Sequence, residues 1–176
     1  MFLFPDTTVL CNFAAVRRMP LLREFLGDRG RWVQSVEGEV KRGVAIHQDL
    51  ELVVSEDWFG AAVSATKRGE IARIERFRTL HMFGDPTKPL QHLGESETFV
   101  VLNRAEFKGA AFLTDDFDAH RIFDGFDVPV LDTRDVIESL VAWNSLSASE
   151  GFDICEEMAA KQRTLRRPPA FPRDLG

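Results

Sequence analysis

Three short apolar segments of this sequence each end at acidic residues and are each followed by a helical pattern. The segments cover residues 2–5, 110–113 and 128–131, and the acids after them are Asp6, Asp115 with Asp116, and Asp132. Strands that alternate with helices favour a parallel sheet with helices on both faces. Parallel strands end at a common edge, where α/β proteins place their ligands. The sequence therefore predicts an α/β fold, a three-layer α/β/α sandwich with a mainly parallel central sheet and an acidic edge.

Apolar periodicity and turn residues define the other predicted elements. Helices are predicted over residues 7–16, 21–26, 36–47, 70–80, 94–103, 119–123, 134–143 and 149–161. A short strand is expected over 31–34, and 50–55 is interpreted as a strand or an extended connector. With 176 residues and 44% apolar content, one core is expected. We predict a domain over 1–145. A C-terminal helix and a basic, Pro-containing tail over 146–176 would pack on this domain or extend from it, with 166–176 mobile.

Composition restricts the possible functions. The net charge of −6 argues against broad, unassisted nucleic-acid binding, although metal cations can neutralise an acidic cluster. Cys11 and Cys155 lack zinc-site spacing, so neither a disulfide framework nor a zinc site is expected. The N-terminus has no charged region before its apolar run, and no apolar stretch approaches about 18 residues. A soluble, cytoplasmic protein without membrane contact is expected.

Several acidic residues have two interpretations each. Asp6 precedes two threonines that open a helix, so it is either a metal ligand or nucleophile, or a helix N-cap. Glu39 lies one turn into a helix that follows a predicted strand, and it can reach the same sheet edge. Glu95 and Glu97 stand at the start of their helix. Because they are two residues apart and face different directions, at most one of them is expected to enter a common site.

Carboxylates gathered within a few ångströms have a specific chemistry. Like charges raise one another's pKa values unless cations neutralise them. Oxygen-rich sites select hard ions such as Mg²⁺ or Mn²⁺, which activate water and stabilise the oxygens of a phosphoryl displacement. No Ser or Cys nucleophile beside a His is evident in the sequence. Metal-assisted hydrolysis is therefore the favoured chemistry, and the alternative is that each acid only caps a helix.

Five blocks, in order along the chain, resemble the PIN-domain family of metal-dependent ribonucleases, in particular the small prokaryotic proteins of toxin–antitoxin type. The blocks are Asp6-Thr-Thr-Val-Leu, Val36-Glu-Gly-Glu-Val, Leu93-Gly-Glu-Ser-Glu, Thr114-Asp-Asp with Ala119-His-Arg, and residues 128–133. Ser96 stands where the family often has Gly, so either Glu95 or Glu97 could occupy the acidic position. Glu97 is preferred here.

The resemblance implies an endoribonuclease that hydrolyses RNA phosphodiesters through a water activated by Mg²⁺ or Mn²⁺. The implied catalytic, metal-binding residues are Asp6, Glu39, Glu97 and Asp116, with Asp115 and Asp118 as alternates. Thr7 and Thr133 would orient Asp6 or a metal-bound water. Arg73 and Arg76 lie three apart on a predicted helix, where they are either solvated or in contact with RNA phosphates.

The resemblance also implies partners: an RNA substrate, an antitoxin protein that blocks the acidic groove, and a second copy of the chain in a homodimer. Two other functions are considered. A haloacid-dehalogenase-like phosphatase would use Asp6 as its nucleophile, but that fold needs a second Asp where this chain has Thr8. The other is a non-catalytic PIN-like module that binds RNA or protein.

Overall fold

A computed structural model describes residues 1–66 and 68–176 as an α/β fold built on a small parallel sheet. Its strands are β1 (Leu3–Pro5), β2 (Ala111–Leu113) and β3 (Val130–Leu131). Their order is β1-β2-β3, and both neighbouring pairs are parallel. The register aligns Pro5 with Leu113 and Leu113 with Leu131. The three strands that precede acidic residues are therefore confirmed, with β2 in the centre.

Helices make up most of the remaining structure. They are α1 (Thr7–Ala15), α2 (Met19–Leu26), α3 (Gln34–Gly43), α4 (Glu51–Ser55), α5 (Arg68–Leu80), α6 (Leu93–Leu102), α7 (Phe117–Asp124), α8 (Thr133–Ala142) and α9 (Ala148–Ala160). Short 3₁₀ turns occupy Gly27–Arg29, Gln48–Leu50, Ala105–Phe107 and Pro172–Leu175. Every predicted helix is present, with ends that differ by a few residues.

Two predicted segments differ from the structure. The strand expected over 31–34 is reduced to isolated parallel bridges, Leu3 with Gly30 and Val33 with Val63. The interpretation of 50–55 as a strand or connector is wrong, because this segment forms α4. Leu50 and Val53 are fully buried, and their spacing of three places both on one helical face. A short apolar run does not distinguish that arrangement from a strand.

Aromatic side chains from several elements pack on the sheet. The ring of Phe112 in β2 stacks on that of Phe123 in α7, with 4.4 Å between centroids. Phe4 of β1 meets the ring of Phe107 edge-on at 5.1 Å. Such pairs add about 0.5–1.5 kcal/mol each beyond the burial of their surface. This packing anchors β1 and β2 in the core, and the edge where the strands end carries the polar side chains that follow them.

The C-terminal segment folds back onto the domain, in contrast to the mobile tail expected from sequence. Leu165 and Leu175 are buried. Arg166 and Arg167 form ion pairs with Asp132, each at 2.7 Å. The 3₁₀ turn that contains Leu175 packs against α8 and α9. Ion pairs and apolar anchors spread along the segment therefore hold it in place.

Candidate functional site

The three strands end side by side, so the residues after them share one edge of the sheet. Asp6 follows β1, and its backbone N–H donates to the carbonyl of Leu113 at 2.8 Å. Thr114 and Asp115 follow β2, and Asp132 follows β3. The parallel register brings all of these positions to the same edge. The predicted convergence of the strand ends is confirmed.

The Asp6 carboxylate is almost entirely buried at this edge, with 4% of the residue exposed. Its Oδ2 accepts hydrogen bonds from the hydroxyls of Thr8 at 2.8 Å and Thr114 at 3.3 Å. The backbone N–H of Thr8 also donates to Oδ2, which makes Asp6 the N-cap of α1. Burial raises the pKa of Asp6, and the hydrogen bonds from Thr8 and Thr114 oppose that rise. Asp6 is therefore both a cap and a firmly oriented acid.

Glu39 reaches the edge from α3, as its position in the sequence predicts. Its Oε2 accepts a 2.7 Å hydrogen bond from the hydroxyl of Thr7. A Cβ atom at Gly94 would lie 3.3 Å from Glu39 Oε1, so the carboxylate packs directly against the first turn of α6. Burial raises the pKa of Glu39, the bond from Thr7 lowers it, and the charge of Asp6 raises it further.

Glu95 joins these carboxylates from the first turn of α6. Burial is the main cause that raises its pKa to about 8. The negative charges that act in the same direction belong to Asp6, Glu39 and Asp116. On its other side, Oε1 of Glu95 lies 3.3 Å from Nδ1 of His92. Four carboxylates from four parts of the chain therefore interact electrostatically at one place.

Glu97, the residue preferred from sequence, has a different role. Its Oε2 accepts hydrogen bonds from the backbone N–H of Ser35 at 2.8 Å and from the Ser35 hydroxyl. Its Oε1 accepts from the N–H of Ala65 at 3.3 Å. The N-cap residue of α3, Val33, has no side-chain acceptor, so Glu97 supplies the cap from another helix. Two residues on a helix differ by about 200° in direction, which separates Glu97 from Glu95.

Asp116 and Asp118 stand at the start of α7 and differ in their surroundings. Asp116 Oδ1 accepts the N–H of Ala119 at 2.7 Å and caps the helix. The N–H of Asp116 donates to the Thr114 hydroxyl at 3.1 Å, which links it to the hydrogen bonds around Asp6. The side chain of Asp118 is 77% exposed and pairs with Arg121 at 3.3 Å. Of the two, Asp116 belongs to the carboxylate cluster.

Asp115 is buried in a hydrogen-bond network of its own. Its Oδ2 accepts from the Asn12 amide at 2.8 Å and from the Thr133 hydroxyl. Its Oδ1 accepts from the backbone N–H of Arg166 at 3.2 Å. Burial raises the pKa of Asp115, and the bond from Thr133 opposes that rise. Thr133 therefore orients Asp115, whereas sequence reasoning assigned it to Asp6 or a metal-bound water.

The threonines bond to acids other than those expected from the sequence. Thr7 orients Glu39, and Thr8 orients Asp6. Sequence reasoning missed Thr8, although an N-cap acid commonly accepts bonds from the residues just after it. It also missed Asn12, a fully buried polar residue in α1; its position beside the apolar stripe of that helix was the available signal. The sequence alone left Arg163 either solvated in the tail or in contact with RNA, and no local pattern marks the position that it occupies.

A cavity of about 400 Å³ opens next to the carboxylate cluster. It is lined by Thr8, residues 115–118 and residues 162–164. Arg73 and Arg76, expected to be either solvated or in contact with RNA phosphates, lie exposed on α5. They line a separate cavity of about 210 Å³ beside Phe77 and Phe99. The acidic cavity and the α5 cavity have no lining residue in common.

The carboxylates match a hard divalent cation in their chemistry. Within residues 1–66 and 68–176, no three or more His, Cys, Asp or Glu side chains stand close enough to hold a metal ion in their present rotamers. The donors are nevertheless all carboxylate oxygens, which Mg²⁺ and Mn²⁺ prefer. Burial raises the pKa values of Asp6, Glu39 and Glu95, and neighbouring negative charges add to the rise for Glu39 and Glu95. A cation would relieve that repulsion.

Comparison of the chain with known protein families, with characterised proteins and with solved structures gives no match. Among the helices described, none has both the length and the apolar character needed to cross a membrane.

Proposed function

We propose that this protein is a Mg²⁺- or Mn²⁺-dependent endoribonuclease of the PIN-domain type, with Asp6, Glu39, Glu95 and Asp116 as its acidic residues. The observation that carries the proposal is the convergence of these four carboxylates at the carboxyl edge of a parallel sheet. Helix capping alone would not require four acids to lie near one another, since each helix end needs only one acceptor.

Glu95 replaces Glu97 in this proposal. The Glu97 carboxylate already accepts hydrogen bonds from the N–H groups of Ser35 and Ala65. Glu95 instead lies within electrostatic reach of Asp6 and Glu39. The order of the five sequence blocks is unchanged by this exchange, because the two acids belong to the same block.

The side chains around the cluster prepare it to bind a cation. Thr8 and Thr114 fix Asp6, and Thr7 fixes Glu39. These hydrogen bonds orient the two acids, and the acids would still have to move closer together to hold a cation. When bound, a divalent ion would polarise the phosphoryl oxygens and activate a water for attack on the phosphorus. Glu95 retains its proton at neutral pH and would release it as positive charge enters the cluster.

Other parts of the proposal rest on the family resemblance. They are a three-layer α/β/α arrangement, a cytoplasmic location, assembly as a homodimer, and a role as the toxin of a toxin–antitoxin pair whose antitoxin blocks the acidic groove. The three parallel strands and their flanking helices are compatible with the first of these.

Cleavage of single-stranded RNA in the presence of Mg²⁺ or Mn²⁺ tests the proposal. Asp6→Asn and Glu95→Gln should each lower kcat/KM by at least about 100-fold, because each removes a charged ligand. Asp153→Asn is the matched control, since Asp153 is exposed on α9 and should leave activity unchanged. Equal activity of wild type and Asp6→Asn, or no cleavage by wild type with ample metal, would overturn the proposal. RNA binding without cleavage would instead favour the non-catalytic module.

A further inference from the structure

We propose that Arg163 and Phe117 form a nucleotide subsite beside the carboxylate cluster, in which Arg163 holds a phosphate and Phe117 stacks on a base. The inference rests on the proposed ribonuclease function and makes its substrate single-stranded RNA. The phosphate would be a neighbour, along the strand, of the phosphate that is hydrolysed.

The cavity next to the cluster has two unlike walls. Residues 115–118, at the end of β2 and the start of α7, supply carboxylates and the Phe117 ring. Gln162, Arg163 and Thr164, which follow α9, supply amide, guanidinium and hydroxyl groups. Asp116 belongs both to this cavity and to the cluster, so a strand bound at the cluster would extend into the cavity.

The Arg163 side chain is oriented by a buried amide. Its Nε donates to Asn12 Oδ1 at 2.9 Å. The Asn12 amide is fixed in turn, because its Nδ2 donates to Asp115 at 2.8 Å and to the Thr164 carbonyl at 3.3 Å. With Nε engaged, the terminal nitrogens of the guanidinium are the donors that remain for a ligand. Their planar geometry suits phosphate.

Arg163 also lacks a counter-charge. In the part of the chain that the structure describes, no carboxylate lies within 4.0 Å of it, whereas Arg166 and Arg167 both pair with Asp132. A half-buried cation without a counter-charge is costly, and an anion would relieve that cost. Arg163 is also close to the cluster, because Arg163 and Asp6 act on the same thiol. Burial raises the pKa of Cys11, the charge of Arg163 lowers it, and the charge of Asp6 raises it.

Phe117 gives the cavity a surface for a base. The residue is 59% exposed although it lies at the first position of α7. An exposed ring beside a cation is the combination that single-strand binding sites use, because a base stacks on the ring while the backbone contacts the charge. A duplex keeps its bases stacked within the helix and would not use this ring, so the subsite favours single strands.

Binding measurements in the Glu95→Gln background test the subsite without cleavage. The probe is a fluorescein-labelled single-stranded RNA oligonucleotide, followed by anisotropy over a range of salt concentrations. Arg163→Gln should weaken binding about tenfold and reduce the salt slope by about 0.7, the value for one phosphate contact on a single strand. Arg163→Lys should restore the salt slope. Phe117→Ala should weaken binding about tenfold with the slope unchanged.

Arg173→Gln and Phe171→Ala are matched controls, because these residues form an exposed cation–π pair in the same tail, with 4.5 Å from the guanidinium carbon to the ring centroid. Both controls should bind RNA as the parent does. If the Arg163 and Phe117 variants bind RNA as tightly as the Glu95→Gln parent does, the subsite is overturned even if wild type cleaves RNA. If wild type binds RNA through both residues but does not cleave it, the subsite stands and the ribonuclease proposal falls.

Discussion

Replacement of Glu95 by Gln should stabilise the protein in a manner that depends on pH. The pKa of Glu95 is raised to about 8 from an ordinary value of 4.5, chiefly by burial. The side chain is 16% exposed, so solvent screens this effect only weakly. An acid whose folded-state pKa is raised contributes stability that is fully present below its unfolded pKa and is lost as pH rises toward the folded value.

The expected size follows from the two pKa values. Relative to acidic solution, an ionisable group with these pKa values lowers the free energy of unfolding by about 2 kcal/mol near pH 6 and about 4 kcal/mol near pH 8. Gln has no such pH dependence. The stability difference between Glu95→Gln and wild type should therefore grow by about 4 kcal/mol between about pH 4 and pH 8.

Urea unfolding in EDTA, at several pH values, measures this difference. Glu156→Gln is the control, because Glu156 is exposed on α9, and its difference from wild type should stay constant. Mn²⁺ at about 100 times its dissociation constant should then stabilise wild type by about 2.7 kcal/mol and Glu95→Gln far less. A difference between Glu95→Gln and wild type that is the same at both ends of the pH range would refute the reasoning.

Two further substitutions, with Asp118→Asn as a comparison, distinguish acids that stabilise the fold from those of the cluster. Glu97→Gln should destabilise the fold by about 1–2 kcal/mol, because it weakens charge-assisted hydrogen bonds to Ser35. Cleavage per folded molecule should stay unchanged. A loss of activity without a loss of stability would contradict this expectation. Asp132→Asn should cost about 3 kcal/mol in urea unfolding, since it leaves Arg166 without a charged partner and Arg167 with Asp135 alone. Asp118→Asn, at an exposed pair, should cost under about 1 kcal/mol. Burial raises the pKa of Asp132, but hydrogen bonds from Arg167 outweigh that effect and hold the pKa below its usual value. The stability that Asp132 contributes is therefore present above its unfolded pKa and should fade as pH falls through the lowered value.

Much of the sheet edge could be predicted from sequence because local signals agree there. An apolar run, an acid and a helical pattern recur three times, and each acid caps the helix that follows it. Glu39 was also predictable, because its place one turn into α3 determines its direction. The strand predicted over 31–34 does not form, because a strand needs a partner strand and only single bridges form there.

The choice between Glu95 and Glu97 depended on contacts that no local pattern records. Both acids lie near the start of α6, and both are buried or nearly so. Their separation follows from how α6 packs on α3, where Gly94 allows the Glu39 carboxylate to approach. The same packing brings Glu97 to the N-terminus of α3. Contacts between residues about sixty positions apart in sequence therefore decided which acid joined the cluster.

Asn12 connects the acidic edge to the C-terminal segment, which makes that segment part of the site. Its Nδ2 donates to Asp115 and its Oδ1 accepts from Arg163. A carboxylate at this position would repel Asp115, and an apolar side chain would remove one hydrogen bond from Asp115 and the bond that orients Arg163. The amide alone satisfies an acceptor on one side and a cation on the other. Residues 163 and 164 therefore reach the cavity because a single buried amide in α1 orients them there.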